Sequence, residues 1–270
     1  PHAVQLLRTY PNKALSYPFA PTGERSVARG YAKALGRARS LIYVEDQFLW
    51  SPLVAAVFAG AIHRNPGLRM IAIVPRAPDG DGRLQVAGSA VAQRQALDVL
   101  RAAGGDRVEV YELENDVGLP IYVHAKLCVI DDVWAAVGSA NLNRRSWTHD
   151  SELTATVLDR TRCDDGDAGQ ARRFARDLRL QLWREHLDRA KGDDADLVGF
   201  EQGAAALRAA AAALDGWHAG GCAGPRPAGR LRRHARPYVS LSARGWGPLA
   251  VRFMLDPDGR PRDRGGAPRW

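Results

Sequence analysis

Apolar and polar positions alternate with a period near two over residues 123–130 and 133–140, two runs separated by Asp131-Asp132, which predicts two strands joined by a tight turn. Residues 4–10 read as an edge or early strand, followed by a loop with Pro and Gly punctuation to residue 24. Over residues 25–39, Val27, Tyr31, Ala34, Leu35 and Ala38 recur at helical spacing, with arginines on the wet side. Residues 41–44 form a short buried strand that ends in Glu45-Asp46-Gln47-Phe48. Ser51-Pro52 supplies an N-cap and a first-turn proline, and the helix they open runs to Arg64, where Asn65-Pro66-Gly67 stops it. Residues 68–74 are a continuous apolar strand, 84–103 are helical and 108–113 are a further strand. Asp79-Gly80-Asp81-Gly82 resembles a calcium loop in composition but lacks the required glutamate, so it reads as a turn. The succession of strand, helix, strand, helix, strand and hairpin predicts an α/β fold, a mixed β-sheet with flanking helices. Beyond residue 158 the pattern becomes helical, at 168–190 and 194–214, with a linker composition at 216–229. Apolar pieces at 238–241 and 249–255 suit a peripheral hairpin, and the closing Arg/Pro/Gly stretch has the composition of a disordered end.

The chain has 270 residues, 46% of them hydrophobic, enough for a substantial core in one large or two small domains. No apolar run approaches the roughly 20 residues that span a bilayer. Three widely spaced cysteines, Cys128, Cys163 and Cys222, suggest neither a disulfide framework nor a zinc site. The net charge of +8 is uneven: residues 224–270 hold eleven Arg against three Asp, and the remainder has 27 basic and 27 acidic side chains. A basic end of this kind suits lipid phosphates, nucleic acid, or acidic patches on its own protein. Against an anionic membrane surface each arginine would contribute on the order of 1 kcal/mol. The first residue is Pro1, so a fragment or processed chain is expected, and a missing signal peptide then carries no information.

Candidate chemistry gathers in the hairpin. Strand alternation puts His124 and Lys126 on one face, and Ser139 with Asn141 on one face. A simple two-residue turn at Asp131-Asp132 pairs His124 with Ser139 and leaves Asn141 one diagonal step away. An imidazole, an ammonium, a hydroxyl and an amide on one patch suit a phosphate: Lys126 neutralises its oxygens, Ser139 and Asn141 donate hydrogen bonds, and His124 attacks phosphorus or moves a proton. Gly138 is expected to leave room for a ligand beside the backbone. Asp131 lies roughly 23 Å along an extended strand from His124, so it is a turn residue that fixes the hairpin. Glu152 is the candidate to hold the second imidazole nitrogen. Strand ends that open into loops are where α/β proteins place ligand groups, which makes Glu45 and Gln47 pocket candidates. His149, in the loop before Glu152, is a third.

His124-x-Lys126, four residues, Asp131, six residues, Gly138-Ser139-x-Asn141 and a later Glu152 resemble the HKD signature of the phospholipase D superfamily. Glu45-Asp46-Gln47-Phe48 is similar to the Glu-Asn-Gln-Tyr/Phe run of the second half of two-motif members, with Asp46 where Asn is usual. The VQLLRTY opening and the Arg/Pro-rich end resemble the same half of bacterial two-motif phospholipase D proteins. The resemblance implies a phosphodiesterase or phosphatidyltransferase that cleaves phospholipid head groups through a phosphohistidine. One histidine attacks, the second protonates the leaving alcohol, and water or another alcohol releases the phosphoryl group. Neither a metal nor a cofactor is implied. His124 would be the general acid/base. Only one motif is present in the chain, so the partner site is expected from an N-terminal HKD half or a homodimer partner, and the isolated half is expected to be inactive.

Pattern and composition divide the chain into a phospholipase D-like catalytic half-domain at 1–190, a helical extension and linker at 191–223 and an arginine-rich tail at 224–270. Phospholipid is the expected substrate, with an anionic membrane surface as a further partner and a cytoplasmic, peripheral-membrane location. Two readings compete: an HKD nuclease or cardiolipin-synthase-like transferase, and an inactive anion- or membrane-binding half. Nucleic acid ranks lower because the basic excess is remote from the motif and no basic groove with stacking aromatics is evident.

Overall fold

The computed structural model describes residues 2–12, 17–77, 83–163 and 170–260. The turn expected at Asp79-Gly80-Asp81-Gly82 and the closing residues 261–270 lie outside them. Among the described residues, ten strands form one mixed sheet: β1 (His2–Tyr10), β2 (Glu24–Arg25), β3 (Leu41–Asp46), β4 (Arg69–Ile73), β5 (Val108–Glu114), β6 (Pro120–Ile121), β7 (Lys126–Ile130), β8 (Trp134–Gly138), β9 (Glu152–Asp159) and β10 (Leu231–Arg233). Their order is β10-β5-β4-β3-β7-β8-β9-β1-β2, with β6 also paired to β5. β3, β4 and β5 run parallel, and every other pairing is antiparallel. Strands β3 and β4 are apolar along nearly their whole length because helices cover both of their faces.

One face carries α1 (Ser26–Leu35), α2 (Pro52–Arg64), α3 (Arg83–Gly104) and the short α4 (Arg144–Thr148). Val27, Tyr31 and Leu35 of α1 and Val54, Phe58 and Ile62 of α2 pack there against Ile42, Val44, Cys128 and Ile130. The other face carries α5 (Arg173–His186) and α6 (Phe200–Ala219), whose Leu180, Trp183, Ala204 and Leu207 pack on Leu41, Tyr43, Ile71 and Val129. The second cover stops short of the β9–β1 side. Val4, Leu6, Val137 and Leu153 stay exposed there, and pairing aligns Leu6 with Ala155 and Ala155 with Val137 in one row.

Three expectations need correction. The hairpin register is one residue off the simple turn: Ile130 faces Trp134, so the loop has three residues and not two. Asp131 and Asp132 both adopt φ of 53°, the left-handed region that Asp tolerates, and Val133 N closes on Ile130 O at 2.9 Å before pairing resumes. Lys126 therefore falls opposite Gly138, and Ser139 no longer faces His124. Second, the apolar pieces near the C-terminus form α7 (Leu241–Ala250) and a π turn at Val251–Leu255 instead of a hairpin, packed along α3. Third, the stretch around residue 231 adds a strand to the sheet edge beside β5.

Candidate active site

The C-terminal end of β3 meets the start of β7, where the pairing of Asp46 with Lys126 continues one step, through Gln47 N to Ala125 O at 3.2 Å. Lys126 opens β7 as its first residue, so His124 stands just before the strand, exposed. The ring of Tyr122 stacks on His124 with centroids 6.3 Å apart and planes 23° from parallel.

Lys126 is half-buried and held. Its Nζ donates to Gln47 Oε1 at 2.7 Å and to the His124 carbonyl at 3.0 Å, which leaves one of three N–H groups uncommitted. Burial pulls its pKa below the ordinary lysine value, and the nearby Asp46 and Glu152 carboxylates oppose that shift. Gln47 turns its other end outward, Nε2 donating to the Tyr122 hydroxyl at 2.8 Å. One amide thus ties the motif lysine to the ring that stacks on the motif histidine. Tyr122 lies outside the HKD signature, so the motif alone does not point to it. Its signal was available, because it precedes His124 by the same two-residue step that separates His124 from Lys126.

Asp46 is the second residue whose part the sequence hid. Its carboxylate is buried and accepts three backbone N–H groups, Phe48 at 2.8 Å and Leu49 at 2.7 Å on Oδ1, and Leu142 at 2.8 Å on Oδ2. It therefore fastens the loop after β3 to the segment that carries Asn141. Burial outweighs those bonds and pushes its pKa up to about 6.

The remaining candidates separate. Ser139 donates to Glu152 Oε2 and accepts Leu153 N at 3.1 Å. Glu152 thus holds Ser139, with Ser146 as a further donor, and not the expected His124 nitrogen. Burial raises the Glu152 pKa against the pull of those two hydroxyls. The reason is topological: Glu152 opens β9, which pairs with β8, so it meets the end of β8 and not the start of β7. Gly138 is required by the sheet itself. A Cβ there would lie 2.4 Å from the Leu153 carbonyl and 2.5 Å from Thr154 Cα. Asn141 is buried, its Oδ1 without a partner, next to Asn143, whose side chain caps α4 by accepting Ser146 N at 2.9 Å.

Asp131 is a turn residue with a long reach. Its carboxylate accepts Arg39 N at 2.7 Å and Ser40 N and Leu41 N at 2.8 Å, which ties the hairpin turn to the start of β3. Glu45, a pocket candidate, points to the opposite face from Lys126 and is buried there with Tyr43 and His186 Nε2, the latter at 2.8 Å. Burial pushes its pKa up, but the His186 bond and charge and the Tyr43 hydroxyl outweigh it, so the carboxyl sits below its ordinary value. His149 bonds Asp150 at 3.3 Å, and Arg145 holds that carboxylate at 2.7 Å. The structure brings Gln47 and Lys126 together with exposed His124 beside them and the Glu152 carboxylate close enough to act on the Lys126 charge, gives Ser139 to Glu152, and separates Glu45 from the group.

Residues 32–170, just over half of the chain, match the family model described as cardiolipin synthase, PLD-like domain. The chain belongs to the phospholipase D superfamily. Human phospholipase D1 is 30% identical over 223 residues, covering 67% of this chain and 20% of that protein, and phospholipase D zeta 2 of Arabidopsis thaliana is 28% identical over 215 residues, covering 63% and 21%. The chain thus spans about a fifth of the length of these curated relatives. The solved phospholipase D family member Nuc of Salmonella typhimurium aligns at a TM-score of 0.46 and 16% identity, over 70% of this chain and 96% of that one.

Proposed function

We propose that the chain is one motif-bearing half of a phospholipase D-type phosphodiesterase or phosphatidyltransferase acting on phospholipid. The observation that carries this is the Lys126 ammonium, partly desolvated, fixed by Gln47 and the His124 carbonyl, with one N–H left beside an exposed imidazole. A phosphodiester oxygen is the anion that such an N–H suits, and the His124 ring beside it moves a proton to the leaving alcohol. The second motif, from an N-terminal half or a second copy, supplies the histidine that forms the phosphohistidine. Ser139 and Glu152 hold the end of β8 against β9, and Asn141 completes the phosphate contacts. A phospholipid substrate makes this a peripheral membrane enzyme. No helix among the described residues is long and apolar enough to cross a membrane.

The basic end gives the nuclease reading little support. Arg226, Arg230, Arg232, Arg236 and Arg260 pair with Glu114, Asp188, Asp215, Asp98 and Asp258, so much of the excess charge is spent within the protein. The test is turnover of radiolabelled phosphatidylcholine by the protein with its second half supplied, with single-stranded DNA as the rival substrate. His124→Ala should remove lipid turnover and leave the unfolding midpoint unchanged. Lipid turnover by that variant at the parental rate would overturn the assignment, and cleavage of DNA alone would transfer it to a nuclease.

A further inference from the structure

At the end of β5, where α6 closes over the sheet edge, three side chains that could do chemistry of their own converge. The residue pair is visible in sequence as His218 and Cys222, spaced i and i+4 where α6 ends, although neither stands in a recognisable motif. Cys222 Sγ lies 3.6 Å from His218 Nδ1, and His218 Nε2 lies 2.9 and 3.0 Å from the two oxygens of Glu114 at the end of β5. A carboxylate can only accept, so the His218 proton resides on Nε2 and the Nδ1 lone pair faces the thiol. Glu114 is fully buried and also holds Arg226 at 3.2 Å and Arg232 at 3.1 Å. Burial pushes its pKa up, and His218, Arg232 and Arg226 outweigh that, so it stays a carboxylate able to orient the ring.

Access distinguishes this thiol from the other two. Cys222 is exposed, whereas Cys128 and Cys163 are buried. Its neighbours Gly221 and Gly224 have nothing within 4 Å of where a side chain would begin, so the approach is open. A nucleophile within reach of a base, and a base aligned by a third group, is the arrangement that activates a thiol.

We propose that Cys222 is a reactive thiol, activated by His218 and Glu114, that exchanges with low-molecular-weight disulfides and so forms a reversible modification site. In the step, His218 Nδ1 takes the thiol proton as Sγ attacks one sulfur of the disulfide. The incoming S–S bond breaks, the departing thiolate takes the proton from His218, and Cys222 is left as a mixed disulfide that any free thiol reverses.

The test follows the chromophore released from dithiobisnitrobenzoate by the folded full chain at neutral pH, with oxidised glutathione and mass spectrometry to locate the adduct. One fast-reacting thiol is expected in the parent, on the peptide that carries Cys222, and none in Cys222→Ser. His218→Gln keeps a donor for Glu114 but has no base, and should react at least about fivefold slower, as loss of a general base requires. A smaller drop, no change, or a faster reaction in His218→Gln overturns the proposal, as does an adduct on Cys128 or Cys163.

Discussion

Asp46 shows how much a single side chain can decide here. Three N–H groups share its two oxygens from both sides, and an asparagine would turn an NH₂ toward either Leu142 N–H or the Phe48 and Leu49 pair. The departure from the usual family asparagine is thus a change of wiring. Because burial raises the folded pKa to about 6, above the ordinary value near 3.8, the native state binds this proton more tightly than the unfolded chain does. The contribution of Asp46 to stability therefore falls as pH rises through the window between those values, by roughly 3 kcal/mol at about 1.4 kcal/mol per unit. Denaturant unfolding of parent and Asp46→Asn from pH 4 to pH 7 should show their difference shrink by that order as pH rises; a constant difference would contradict the buried-carboxylate account. Gln47 is the companion case on the chemical side. Gln47→Leu removes the amide that holds the Lys126 ammonium and donates to the Tyr122 hydroxyl, so turnover should drop by about tenfold or more while the unfolding midpoint moves little.

Strand pairing decides what the motif residues do, which is why their roles were only partly legible in the sequence. The strands and helices themselves follow from periodicity and caps, as at Pro52–Arg64, where the expected helix begins at the proline and stops before Asn65. The register did not follow, because two left-handed aspartates add Val133 to the turn, and a one-residue slip exchanges sheet faces. The partners of Asp131 lie about ninety residues away at the start of β3, and those of Asp132 on α5, where buried Arg179 binds it through two nitrogens at 2.7 and 2.6 Å. No local pattern encodes such contacts. Gly138 gives the element-scale test. Gly138→Ala must push β9 away from β8 where Ser139 meets Glu152, costing about 3 kcal/mol as overpacking does, with loss of turnover in the same variant. A variant with the parental unfolding free energy would mean that the two backbones are not this close.

At the scale of the whole molecule the unequal cover of the sheet matters most. Helices shield both faces of β3, β4 and β7, yet Val4, Leu6, Val137 and Leu153 stand in solvent on the side of the sheet that α5 and α6 leave open. Monomeric proteins seldom leave neighbouring β-branched and leucine side chains uncovered across three adjacent strands. This row begins at the end of β8 with Val137, two residues before Ser139, on the face of the sheet opposite to the one Lys126 points to. On the function proposed above, a second motif-bearing half is the body that would bury this apolar row. Leu6→Glu with Leu153→Glu should leave the fold intact, because both side chains are more than half exposed, at 61% and 52%. The double variant should nonetheless weaken association with the second half by about tenfold or more, because each introduced carboxylate must be desolvated in the joined state. Sedimentation of the assembled protein, and turnover measured against the concentration of the supplied half, would read this. Unchanged association would show that the second half docks elsewhere and that the exposed row serves another contact.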